Sequence, residues 1–77
     1  MWQIEENKLV KEFTFKDFKA AFAFMTKVAE IAEALDHHPE WSNVYNKVLI
    51  KLCTHSAGDK ITVKDEELAS KIDLLVA

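Results

Sequence analysis

From Lys16 to Asp36 apolar side chains recur at helical spacing, and no residue that breaks a helix interrupts them. The one proline, Pro39, and the one glycine, Gly58, both lie downstream. Phe18, Ala21, Phe22, Met25, Val28, Ala29, Ala32 and Leu35 form the apolar face. Thr14-x-x-Asp17 reads as a capping box that opens the helix. Phe24 and Ile31 widen the stripe to about 200° of arc, well beyond the ~100° that a one-sided surface helix needs. In a chain of 77 residues such a face must be covered by most of the rest of the fold, by a second subunit, or by both.

The remaining segments supply a sheet. Trp2 to Glu5 alternates like a short strand, Glu6-Asn7-Lys8 suits a turn, and Leu9 to Phe15 makes a second strand. Pro39 ends the long helix, because proline forces the residue before it out of the α region. Trp41 to Tyr45 and Val48 to His55 then read as a hairpin about Asn46-Lys47, since asparagine tolerates the positive φ of a tight turn. That register pairs Tyr45 with Val48, Trp41 with Leu52 and His38 with His55. It puts Trp41, Tyr45, Val48, Ile50 and Leu52 on a packing face, with His38, Glu40, Ser42, Lys51, Cys53 and His55 on the other. A loop around Gly58 follows. Thr62-x-x-Asp65 repeats the capping-box pattern and opens a last helix with Leu68, Ile72 and Leu75 inward. The order ββαββα predicts one α+β domain over residues 1–77, a two-layer fold with a four-stranded antiparallel sheet and both helices on one face.

Composition narrows the function. A formal charge of −3 without a basic cluster is a poor footprint for direct nucleic-acid binding. A single cysteine cannot form an internal disulfide, in keeping with a reducing, cytoplasmic setting. No apolar run approaches the ~20 residues of a membrane span, and no signal peptide is visible.

All three histidines fall between Glu33 and Asp65. Imidazole both gives and takes protons near neutral pH. Glu33 stands one helical turn before His37 and is expected to be its carboxylate partner. By residue chemistry alone, His37 serves equally well as a helix-end residue complementing the dipole. His38 and His55 could be plain strand residues. Asp65 is explained by its capping-box place and Tyr45 by packing beside the turn. Cys53 has no activating neighbour and reads as an inert thiol. Glu33, His37 and His55 could hold a metal with one position open, but proton transfer is the favoured reading, with no metal or organic cofactor.

Glu33-x3-His37-His38-Pro39-x5-Tyr45-x9-His55-x9-Asp65 resembles the signature of the pterin-4a-carbinolamine dehydratases. Leu35 to Trp41, Val44 to Val48, and Phe15-Lys16-Asp17-Phe18 with Phe22, Phe24, Met25 and Thr26 resemble that family as well. The resemblance implies a hydro-lyase that converts 4a-hydroxytetrahydropterin to quinonoid dihydropterin. It implies His37 and His55 as acid and base with Glu33 in support, and His38, Pro39, Thr54 and Trp2 about the pterin. It also implies a link to an aromatic amino acid hydroxylase and a homodimer or homotetramer, with a non-enzymatic dimerisation module, or a pterin-binding protein with a different pterin substrate, as the alternatives. Longer members carry a helical segment before the position of Trp2, which a chain beginning at Met1 is expected to lack.

Overall fold

A computed structural model describes all residues 1–77. Two strands, β1 (Gln3–Glu5) and β2 (Lys8–Thr14), are joined by a two-residue turn, Glu6-Asn7. Both turn residues have positive φ (51° and 64°), the conformation that matches the twist of a hairpin. Lys8, expected in that turn, instead opens β2 opposite Glu5. Helix α1 (Phe18–Leu35) follows, then β3 (Glu40–Val44), β4 (Lys47–Leu52), a single 3₁₀ turn (His55–Ala57) and helix α2 (Val63–Leu74). The sheet order is β1-β2-β4-β3 with every neighbouring pair antiparallel. β2 and β3 therefore run parallel with β4 between them, and α1 makes the crossover. This is the predicted ββαββα order.

Alternation along the strands sorts their side chains. Phe13, Val48, Ile50 and Leu52 point to the helices, where they meet Ala21, Phe24, Val28 and Ala32 of α1 and Leu68, Ala69 and Ile72 of α2. Phe24 lies 4.9 Å from both Phe13 and Phe15, ring centre to ring centre. The core stripe of α1 is thus centred on Phe24 and Val28. Phe18 and Phe22, expected inward, are half exposed and stack on each other at 5.9 Å. The sheet covers only one side of a helix whose apolar arc is wider than that.

Asp17 is the N-cap of α1 and accepts from the Ala20 amide at 2.8 Å. The expected box with Thr14 does not form, because the helix begins two residues later than Lys16. At the other end Asp36 adopts a left-handed conformation (φ 52°). Its amide donates to Glu33 O (3.1 Å) and that of His37 to Ala32 O (3.0 Å), a Schellman arrangement. The helix therefore stops before Pro39 acts.

The β3–β4 hairpin turns at Tyr45-Asn46, one residue earlier than expected, with Val44 opposite Lys47. Asn46 is held in line with β2: its side chain donates to Phe15 O (2.9 Å) and its carbonyl accepts from the Phe15 amide (2.8 Å). The Asn43 side chain closes the turn onto Tyr45 O and Lys47 O. Tyr45 takes the left-handed position (φ 51°) and is exposed, so it is not a packing residue. The shift moves the pairing by two residues and preserves the faces. Trp41 faces Ile50 instead of Leu52, and regular pairing ends at Glu40 opposite Lys51, so His38 does not pair with His55. No helix is long and apolar enough to cross a membrane.

Candidate active site

Past the C-terminal end of β4 and the N-terminal end of β3 lies an open cavity of about 440 Å³. His37, His38, Pro39, Thr54, His55 and Lys64 are among its lining residues. Three segments build it: the chain reversal after α1, the turn after β4, and the first turn of α2.

His37 is the most enclosed of the three histidines, its side chain 11% exposed. Its Nε2–H donates to Asp65 Oδ1 at 2.6 Å. Asp65 has no exposed surface. Its other oxygen accepts from the Thr62 amide (2.9 Å) and from Thr54 Oγ1 (2.8 Å), while Thr54 and Thr62 share a hydroxyl–hydroxyl bond of 2.7 Å. One carboxylate thus caps α2 with Oδ2 and holds an imidazole with Oδ1. A carboxylate in this place fixes the ring and its tautomer, because only a nitrogen bearing hydrogen can donate to it. His37 Nδ1, without a protein partner, is left for a proton.

The expected Glu33–His37 pair does not form. The left-handed Asp36 turns His37 toward α2 and sends His38 back over the helix end. There His38 Nε2–H donates to Glu33 Oε1 at 2.8 Å, with both side chains largely exposed. Such a pair contributes little. Glu33 is not among the residues lining the cavity. His55 lies in the 3₁₀ turn and donates from Nδ1 to Asp59 Oδ1 at 2.6 Å, leaving Nε2 without a protein partner. Thr54 turns its hydroxyl to Asp65, so it positions a carboxylate within the protein.

Trp2 stands apart from the cavity. Its indole N–H reaches both oxygens of Asp73 at 3.1 Å, Lys11 Nζ joins the same carboxylate at 2.9 Å, and the ring packs edge-on against Phe13. The pull of Asp73 on α2 keeps this side chain on the helix side of the sheet. Glu40, which also lines the cavity, forms an exposed bridge of 2.9 Å with Lys8. Hydrogen bonding to Lys8 lowers the Glu40 pKa, and the same contact raises that of Lys8. Burial pushes the Cys53 thiol up.

The family model for pterin 4 alpha carbinolamine dehydratase matches residues 1–75. The chain belongs to the pterin carbinolamine dehydratase family. A Synechococcus protein provisionally named pterin-4-alpha-carbinolamine dehydratase is 54% identical over 74 residues, covering 96% of this chain and 78% of the relative. A Solibacter usitatus protein of the same provisional name is 54% identical over 76 residues, 99% and 79% of the two chains. Among solved structures, a transcriptional coactivator/pterin dehydratase from Brucella melitensis superposes with a TM-score of 0.93 at 42% identity, over 99% of this chain and 82% of that one. A pterin dehydratase-like RuBisCO assembly factor of the alpha-carboxysome shares the fold, with a TM-score of 0.78 at 22% identity over 97% and 86%.

Within this dehydratase-family chain the structure brings His37, His38, Pro39, Thr54 and His55 to one cavity and leaves Glu33, Tyr45 and Trp2 outside its lining. Sequence reasoning missed three features. The capping-box pattern accounts for one oxygen of Asp65, and the carboxylate has a second to offer. Asp59 stands four residues after His55, a spacing that could have announced the pair. Lys64 enters the cavity because it sits in the first turn of α2, two residues after the Thr62 cap.

Proposed function

We propose that this chain dehydrates 4a-hydroxytetrahydropterin to quinonoid dihydropterin by histidine acid–base catalysis. In that reaction a ring nitrogen pushes its lone pair toward the carbon bearing the hydroxyl. The C–O bond breaks, the hydroxyl takes a proton and leaves as water, and the ring N–H gives its proton to a base. Atoms and charge balance with one acid and one base, and imidazole side chains can supply both.

The observation that carries this reading is the buried Asp65 holding His37 Nε2–H, with His55 lining the same cavity. His37 and His55 are the proton-transfer residues. His38 and Pro39 hold the pterin, and Asp65, in the place expected of Glu33, positions His37. A polar-lined cavity of about 440 Å³ is within the range of small-molecule sites. The setting consistent with this activity is a cytoplasm containing a pterin-dependent aromatic amino acid hydroxylase. Adding the purified chain to freshly generated 4a-hydroxytetrahydropterin and following dehydration by absorbance tests the proposal. Acceleration proportional to protein concentration supports it, and the spontaneous rate alone overturns it.

A second reading, an interaction module, is favoured by one feature, the exposed Phe18–Phe22 pair on α1. An oligomer that covers this pair reconciles it with the enzymatic reading.

A further inference from the structure

We propose that Cys53, His55 and Asp59 form a binding site for a divalent cation of the zinc class, and that a bound ion removes His55 from acid–base work. Each residue offers one ligand atom, and the sulfur, ring nitrogen and carboxylate oxygen all lie within 4.8 Å of one another. A tetrahedral zinc ion sets such donors roughly 3.3–3.6 Å apart, from metal–ligand bonds of about 2.0–2.3 Å. The remaining adjustment falls on His55 and Asp59, whose side chains are 85% and 67% exposed and can swing. Cys53, just past β4, is the fixed member, 8% exposed.

The loop that carries the other two is already set. The Thr54 amide donates to Lys60 O (2.8 Å), the Asp59 amide to Thr54 O (3.1 Å) and the Gly58 amide to His55 O (3.0 Å). Gly58 and Asp59 adopt positive φ in succession (81° and 58°), which folds Asp59 back onto His55. Metal binding then needs side-chain rotation and release of the Cys53 thiol proton to solvent as the sulfur ligates, but no backbone reordering. Sulfur in the donor set selects zinc-class ions over magnesium and calcium, which take oxygen. Three protein ligands leave a fourth position open, the pattern of an accessible ion rather than a purely structural one. His37 and Asp65 make no comparable site, because the second oxygen of Asp65 is committed to Thr54 and Thr62.

The regulatory half of this proposal rests on His55 acting as acid or base, as argued above; the binding half does not. Zinc is titrated into the folded chain in competition with a chromophoric chelator, and cobalt is used as a spectroscopic probe. One ion per chain is expected, with affinity at least tenfold weaker in Asp59→Asn and in Cys53→Ser. Cobalt should show a thiolate charge-transfer band that Cys53→Ser lacks, while His38→Ala keeps wild-type affinity. Asp59 is exposed, so its variant tests the site even if Cys53→Ser is poorly folded. No saturable binding below about 100 μM, or equal affinity in wild type and both variants, overturns the site. In dehydration assays one equivalent of zinc should slow the wild type and leave Asp59→Asn at its own metal-free rate. An active enzyme that binds zinc without slowing overturns the regulatory half. A chain that binds zinc but never dehydrates pterin overturns the proposed function and leaves the site standing.

Discussion

His37 and Asp65 meet across 28 residues of sequence, with Nε2 of the histidine 2.6 Å from Oδ1 of a carboxylate that has no exposed surface. The same carboxylate caps α2, so the helix start and the placement of the imidazole are one structural event. Every buried side-chain nitrogen and oxygen finds a partner, and around Asp65 those partners are Thr54, Thr62 and His37.

Asp65→Ala should cost about 2–4 kcal/mol, because it strands the Thr62 amide, the Thr54 hydroxyl and the His37 ring together. Thr62→Ala, which loses a cap while Asp65 keeps its other bonds, should cost about 1 kcal/mol. Urea unfolding measures both. An Asp65→Ala variant within about 0.5 kcal/mol of wild type would show that the network contributes nothing.

Much of this was legible beforehand, for identifiable reasons. Signals carried by local spacing hold for the extent of α1, the ββαββα order and the Thr62–Asp65 box, although the same spacing at Thr14–Asp17 forms no box and Phe18 and Phe22 lie outside the core. Errors arose where a long-range bond chose between local options. Asn46 could have been the second residue of the turn or the first, and Phe15, remote in sequence, decided it. Glu33 was one helical turn from His37, yet the left-handed Asp36 redirected the ring to Asp65. No periodicity in the chain encodes that reversal, and Asp is only one of several residues that tolerate positive φ.

Burial holds the Cys53 thiol above the ordinary range of about 8.5. The folded state then keeps its proton more tightly than the unfolded one. The stability this represents is complete below the unfolded pKa and is lost as pH rises through the folded value. Stability should therefore fall more steeply above about pH 8.5 in wild type than in Cys53→Ala. Iodoacetamide should alkylate the folded chain about tenfold or more slowly than the urea-unfolded chain at pH 8. Equal alkylation rates would contradict the burial.

Phe18 and Phe22 are 50% and 54% exposed and in mutual contact, a cost that self-association would relieve. Sedimentation equilibrium at micromolar concentration should give a dimer or tetramer. Phe18→Ser with Phe22→Ser should give a monomer of unchanged helix content. A monomeric wild type rules out the association.

Trp2 is tied to Asp73 and does not line the histidine cavity. Trp2→Phe should lower stability by about 1 kcal/mol, one hydrogen bond, and leave KM for the pterin unchanged. A raised KM would return Trp2 to the binding site.

Kinetics of the three histidine variants on freshly generated 4a-hydroxytetrahydropterin bear most directly on the mechanism. His38→Ala should raise KM and spare kcat, as expected when a residue binds ground and transition states alike. His37→Ala and His55→Ala should each lower kcat, by about 10²–10⁴-fold for a lost acid or base. The losses should be smaller if one imidazole partly covers for the other, with the double variant far worse than either. Each of these two changes should also alter the shape of the pH–rate profile, which His38→Ala leaves as in the wild type. A His37→Ala, His55→Ala double variant that turns over at the wild-type rate would show that these histidines are not the catalysts.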